Sequence, residues 1–225
     1  MRVAAVALVV LIAVVVPPTL IANSLRALAT ETFTRRELGR LEPDRYGLTD
    51  DQREALALTG LESIRPGSDG IVLLERATLP DGSPAFNARE LSHMRDVRSV
   101  FGVVLRGELA VIAVLAVLGV GLAWTRFRTV VPGGLLAGSL ATIGVAILAV
   151  PLILLGFDTF FTGFHEIFFE GDSWRFSNTD TLIRVYPERF WEDVSKLAAA
   201  MTVLQALVLA PLSWWWLRTA RRQQP

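Results

Sequence analysis

Four long apolar runs dominate this chain, at residues 3–22, 103–124, 131–157 and 194–217. Each is about as long as the 20 residues a helix needs to cross the hydrocarbon core of a bilayer. The apolar excess, 52% of 225 residues, is concentrated in these runs. That concentration separates a membrane protein from a soluble one with a generous core. Pro17, Pro18, Gly144, Pro151 and Pro211 fall inside the runs. Membrane helices tolerate such residues where neighbours re-satisfy the backbone. The expectation is an all-α integral membrane protein with four transmembrane helices. A small, mostly helical extracytoplasmic insertion at 24–102 and an aromatic interfacial loop at 158–193 complete it.

Arginine placement sets the expected sidedness, because cytoplasmic loops carry the basic excess. Arg2, Arg126, Arg128, Arg218, Arg221 and Arg222 flank one set of ends with no acid among them. The opposite side holds every Asp and Glu except Glu108, which lies just inside the second run. Both termini are therefore expected in the cytoplasm. The first run has the charged start of a signal peptide but no clean small-x-small cleavage site, and it is read as a retained span. Zero net charge argues against a nucleic-acid surface. The absence of cysteine removes disulfides, thiolate nucleophiles and cysteine metal sites. Lys196 is the sole lysine, a matter of genome composition more than function.

Within residues 24–86, Thr49 and Gln52 resemble a capping box ahead of a helix at 50–63, stopped by Pro66, Gly67, Asp69 and Gly70. A short extended pair is expected around Asp81-Gly82. Nothing in this stretch assembles a catalytic set, and a lid or partner surface is the favoured reading. The next stretch is richer. Asn87 with Glu90 forms a second capping box, so a helix is expected to start there and run into the second span. At helical spacing Leu91, Met94, Val97, Val100, Phe101 and Val104 share one apolar arc. Glu90 and His93 fall inside that arc, and Asp96 lies on its flank. A buried acid and imidazole are costly unless partnered, and an i,i+3 pair can touch. The residues leave two readings open: a capping acid with an interfacial histidine, or a functional pair near the membrane surface.

Residues 157–193 hold eleven of the chain's twenty Phe, Trp and Tyr side chains. Some belong to an aromatic belt at the lipid headgroups. The segment also sets His165 among Phe160, Phe161, Phe164, Phe168 and Phe169, followed by Asp172, Ser173, Trp174 and Asp180. Gly171-Asp172 and Ser177-Asn178 signal turns, so a re-entrant or interfacial structure is expected. A short helix around Phe190 and Trp191 is expected after Pro187. The only two histidines of the chain thus lie on the same side, each beside a membrane surface with carboxylates nearby. Two imidazoles can share base and acid work on one substrate at neutral pH.

Two motifs carry a resemblance. Glu90-Leu91-Ser92-His93-Met94-Arg95-Asp96-Val97 is one. The other runs Phe164-His165-Glu166-Ile167-Phe168-Phe169, Asp172-Ser173-Trp174-Arg175-Phe176, Asp180-Thr181-Leu182-Ile183, Pro187 and Phe190-Trp191. With the four spans, and over roughly 87–217, they resemble the lipoprotein intramolecular transacylase family. Residues 24–86 carry no quotable match. The resemblance implies an acyltransferase of the bacterial plasma (inner) membrane, working at the outer leaflet on a diacylated lipoprotein among membrane lipids. One glycerol ester acyl chain would pass to the lipoprotein's own N-terminal cysteine amine. His165 and His93 would be the catalytic pair, His165 as base and His93 as acid or oxyanion partner. Glu90 and Asp96 would orient His93, while Asp172, Ser173, Trp174 and Asp180 would support His165 or hold the headgroup. Phe161, Phe164, Phe168, Phe169 and Met94 would contact acyl chains. The acceptor lies in the substrate and ester-to-amide transfer is downhill, so no cofactor is called for. Proximity, a base and oxyanion stabilisation suffice. Competing readings are an acyl hydrolase or transferase acting on free phospholipid, and a non-catalytic membrane scaffold or sensor. A zinc site is a weaker option, because no close ligand spacing such as His-Glu-x-x-His occurs.

Overall fold

The computed structural model describes residues 2–223. Its named elements are all helices: α1 (Arg2–Leu28), α2 (Glu31–Leu38), α3 (Asp50–Ile64), α4 (Val72–Glu75), α5 (Ala88–Leu122), α6 (Val130–Leu155), α7 (Phe157–Phe168), α8 (Thr181–Val185) and α9 (Glu188–Arg222). Helices α1, α5, α6 and α9 are long and apolar enough to cross a membrane. The protein is an all-α integral membrane protein with four spanning helices.

Helix boundaries differ from the apolar runs for local reasons. Helix α1 passes through Pro17-Pro18 unbroken. Helix α5 has 35 residues, well beyond the ~20 that span hydrocarbon, because the Asn87–Glu90 box starts it early. Helix α9 also has 35 residues and begins directly after Pro187, so the expected short helix at Phe190 and Trp191 is its first turn. The third run instead breaks at Gly156, whose backbone leaves the helical region (φ −147°, ψ 51°) and starts the separate helix α7.

The chain divides into two compact units. The first comprises residues 1–25, 105–152 and 196–225. Its core gathers Ile12 and Val16 of α1 with Val130 and Val131 of α6, flanked by Leu115, Leu118, Leu209 and Trp216. Gly134 and Gly138, one turn apart on α6, permit this. A Cβ on Gly134 would lie 2.6 Å from the Ile12 Cβ, and one on Gly138 only 2.5 Å from the Val16 Cβ. Small residues at i,i+4 let membrane helices approach closely, where van der Waals contact replaces the hydrophobic effect. Polar bonds join α1 to α9. Ser24 Oγ and Thr202 Oγ1 are 2.9 Å apart, Gln205 Nε2 donates to Ser24 Oγ at 2.8 Å, and Asn23 Nδ2 donates to Gln205 Oε1 at 2.6 Å.

The second unit comprises residues 26–104 and 153–195. Its core packs Leu38, Leu48, Leu56, Leu74, Phe86, Met94, Leu182, Val185 and Phe190 around Tyr186. The buried Tyr186 hydroxyl donates to the Ala57 carbonyl. A largely buried ion pair joins Arg184 Nη2 to Asp44 Oδ2 at 2.9 Å. The Thr49–Gln52 capping box starts α3. Arg98 Nη1 donates to the carbonyls of Ser63 and Arg65 and to Ser68 Oγ, closing the turn after α3. The extended pair near Asp81-Gly82 is a single antiparallel bridge between Thr78 and Pro84.

Replacing glycine by alanine inside a helix ordinarily gains about 1 kcal/mol of propensity. At position 138 the clash with Val16 outweighs this, since overpacking costs about 1–3 kcal/mol. Gly138→Ala is therefore expected to lower the melting temperature in detergent. Gly144→Ala, which meets open space, is expected to hold or raise it. Equal responses at the two positions would sink the close-approach account.

Candidate active site: two histidines in an aromatic cluster

Helix α7 begins at Gly156 and turns one apolar face inward, with Phe157, Phe161 and His165 at i,i+4 spacing. That face buries Phe157 and His165. The Phe161 ring lies 4.0 Å from the His165 ring, centroid to centroid. After α7 the chain turns at Gly171, where a positive φ of 60° suits glycine, and brings Trp174 back to 4.7 Å from His165. Helix α5 supplies the second imidazole. The His93 and His165 rings are 6.1 Å apart and inclined by 26°. Phe169 contacts both, at 4.9 Å from His93 and 5.5 Å from His165. Phe176 lies 5.4 Å from His93. His93, His165 and Trp174 are 8%, 9% and 8% exposed, so rings cover the pair almost completely. All these residues belong to the second unit.

Hydrogen bonding sets the state of His165. Its Nδ1 lies 2.8 Å from the Phe161 carbonyl oxygen, one helical turn earlier. A carbonyl only accepts, so Nδ1 carries the proton and the lone pair is on Nε2. Burial pushes the imidazole below the ordinary histidine value of 6.5, partly opposed by this bond. His165 is thus neutral at pH 7, with a free basic nitrogen. The orienting group expected from the loop carboxylates is instead a backbone carbonyl of the same helix.

The first turn of α5 holds the returning loop. Asn87 N–H donates to Glu90 Oε2 at 2.7 Å, and the Asn87 side chain accepts from Glu90 N–H at 3.0 Å. Glu90 Oε1 accepts from Leu182 N–H at 2.7 Å, across 92 residues. Asn87 Nδ2 donates to Asp180 Oδ1 at 3.1 Å, and Asp180 Oδ2 accepts from Ser177 N–H at 2.7 Å. Arg89 donates to the Arg175 carbonyl and its guanidinium lies 5.2 Å from the Phe176 ring centre.

These bonds revise several expectations. Glu90 is 1% exposed and both its oxygens receive backbone N–H groups, so it ties α5 to α8 and does not orient His93. His93 Nδ1 is buried without a partner among the described residues. Asp96 points to an exposed surface, where the flank of the helical arc put it. Met94 is packed in the core with Leu74 and Phe86, not against acyl chains, because its arc is covered by protein. Asp172 is exposed and paired with Arg175 at 3.3 Å, and Ser173 Oγ donates to the Glu170 carbonyl at 3.2 Å. Asp180 shapes the 177–180 turn. Phe161 and Phe169 line the histidines; Phe164 meets His165 edge-on at 5.5 Å, packs with Phe168 at 4.9 Å and, like Phe168, stays substantially exposed. Arg89 and Phe176 had no periodic signal. Arg89 stands two residues after the Asn87 cap, and Phe176 sits inside the second motif. Among the described residues no three His, Asp or Glu side chains converge as a metal site requires.

A family model described as "Lipoprotein intramolecular transacylase Lit" matches residues 73–191. That stretch spans both motifs. An uncharacterized protein of Aquifex aeolicus (strain VF5) is 29% identical over 201 residues, covering 88% of this chain and 89% of its own. The membrane integral lipoprotein intramolecular transacylase Lit from Bacillus cereus superposes with a TM-score of 0.81 at 19% identity, covering 99% of this chain and 100% of that one. A variant of that protein with one histidine changed to arginine gives a TM-score of 0.74 at the same identity, over 98% and 95%. At this identity the structural likeness is one of fold.

Two measurements test the site. In Glu90→Gln the single amide oxygen can serve only one of the two N–H donors well. The Leu182 amide should exchange its hydrogen faster, with about 1–3 kcal/mol of stability lost. Unchanged exchange there would show that the carboxylate is not the tie. The His165 Cε1–H resonance, assigned in His93→Ala, should titrate with a midpoint below 6.5. The folded protein resists protonation, so the neutral form persists as pH falls through that value. A midpoint at or above 6.5 contradicts the burial account.

Proposed function

Since the chain belongs to the lipoprotein intramolecular transacylase family, we propose that it moves one acyl chain of a diacylated lipoprotein from the glycerol ester to that lipoprotein's own N-terminal cysteine amine. The observation that carries the reading is the convergence of the two histidines, 72 positions apart in sequence, to 6.1 Å within one aromatic cluster. His165 is the base. Its Nε2 lone pair takes a proton from the amine as nitrogen attacks the ester carbonyl carbon. The tetrahedral intermediate collapses, the bond from carbonyl carbon to glycerol oxygen breaks, and the leaving oxygen takes a proton from an imidazolium. That proton comes from the His165 imidazolium by way of His93, the acid of the pair, so both rings start and finish neutral. One proton leaves the amine and one reaches the glycerol hydroxyl, so the step is balanced without a cofactor.

The surroundings support this assignment. A buried neutral imidazole suits a base that must work beside lipid, where hydration is absent. The exposed rings of Phe164 and Phe168 offer an apolar approach for acyl chains, and the covering rings must part to admit them. No residue has to serve as a covalent nucleophile, because the acceptor amine comes with the substrate. Placement in the plasma membrane, with both termini cytoplasmic and the histidines toward the outer leaflet, rests on the arginine distribution. Membrane lipids and the diacylated lipoprotein are the proposed partners. Glu90, Asn87, Asp180 and Arg89 act as positioning residues that hold the loop carrying Phe176 against α5.

The test is acyl analysis of a diacylated test lipoprotein by mass spectrometry, with and without the protein. The wild type should yield an N-acyl, lyso-glycerol product. His165→Ala and His93→Ala should each lower kcat by about 100-fold or more, the usual loss for removing a general acid or base. Transfer that survives both substitutions defeats the two-histidine site. An unchanged lipoprotein in the presence of wild-type protein defeats the transacylase reading.

A further inference from the structure

Acyl transfer passes through a tetrahedral intermediate whose former carbonyl oxygen carries a developing negative charge. A donor aimed at that oxygen, preorganised in a water-poor site, is often the largest single catalytic contribution. The two histidines are already engaged in moving protons. In the first turn of α5, Asn87 Nδ2 is on Asp180 and Arg89 Nη2 is on the Arg175 carbonyl. Arg175 is itself drawn outward by exposed Asp172 at 3.3 Å.

Apart from the histidines, one buried donor beside the base has no partner. The Trp174 indole Nε1 is buried and has no hydrogen-bond partner among the described residues. Five buried side-chain groups able to donate share that condition: Arg53 Nε, His93 Nδ1, Arg128 Nε, Ser213 Oγ and Trp174 Nε1, of which His93 is already given to proton transfer. Of the other four, Trp174 is the one with its ring against His165, at 4.7 Å. An indole N–H donates and cannot accept, so it selects an electron-rich oxygen. Buried N–H groups are nearly always satisfied, and an orphan in contact with a candidate base calls for an explanation. The ring is also held in place. Phe161 meets it edge-on at 6.3 Å, and the Arg175 guanidinium carbon lies 5.0 Å from its centre. That cation polarises the indole and makes its N–H a better donor.

We infer that Trp174 is a catalytic residue whose indole N–H binds the ester carbonyl oxygen of the lipid and stabilises the oxyanion as the amine adds. Resting on the transacylase reading, it supplies the function that the histidines leave open. It also defines the ligand chemistry: a carboxylic ester of glycerol is held, and an ether-linked lipid of the same shape is not. The proton inventory is unaltered, because the indole lends its hydrogen bond and keeps its proton.

The experiment uses the full chain in detergent micelles with indole-15N tryptophan, which gives six indole signals. Trp174→Phe assigns the relevant one. Added 1,2-dioctanoylglycerol should move the Trp174 indole proton downfield and leave the other signals in place, while the 1,2-dioctyl ether should not move it. A Trp174 signal that ignores the ester, or that responds equally to the ether, overturns the inference. The catalytic arm places 3-benzothienylalanine at position 174, which keeps the ring shape and removes the N–H. With KM and melting temperature held, kcat should fall about 100-fold, the scale of one lost oxyanion donor. A kcat within about threefold of wild type overturns the catalytic role. The arms separate the two claims. An ester-specific shift in a protein that leaves lipoproteins unmodified supports the carbonyl site and removes the transacylase reading.

Discussion

Burial of the Glu90 carboxylate is the constraint on which the site depends. A carboxylate removed from water must be met by donors, or its cost exceeds what a marginally stable fold can absorb. Here the donors are two backbone N–H groups, one at its own helix start and one at Leu182 in α8. Satisfying one side chain thereby joins segments that are remote in sequence. The joined loop carries Phe176 to His93, and the turn before it carries Trp174 to His165. The tie thus holds part of the aromatic cover over both imidazoles.

The aromatic cluster works in the opposite sense. Phe161, Phe169, Trp174 and Phe176 exclude water around two titratable rings and so hold His165 neutral. The Phe161 carbonyl then chooses which nitrogen of His165 bears the proton. In many soluble sites a carboxylate does this work. A carboxylate would add charge beside the imidazole and favour its protonated form. A neutral carbonyl orients the ring with a smaller push in that direction, which suits a base in a site lined by phenyl rings.

Much of the architecture was legible from the chain because membrane spans are a local property. Length and lack of charge identify α1, α5, α6 and α9 without knowledge of their neighbours. Capping boxes are local too, and Thr49–Gln52 and Asn87–Glu90 begin helices where they were expected. The helical arc that buried Glu90 and His93 was readable for the same reason. What covered that arc was not. Met94 looked suited to lipid, yet it meets Leu74 and Phe86, because periodicity reports that a face is covered and not by what. Glu90 was paired with His93 by i,i+3 spacing, whereas its partner lies 92 positions away.

By itself, then, the amino-acid sequence determined four spans, two helix starts and two histidine-bearing motifs of the transacylase family. Each follows from interactions within a turn or a run of residues. Tertiary structure decided that the imidazoles stand 6.1 Å apart, which nitrogen of His165 is free, and that the Trp174 indole N–H is left unpaired beside it. Those outcomes depend on contacts between segments separated by the long apolar runs. No local pattern encodes which donor a buried acceptor will find across such a distance, and only the packed chain settles it.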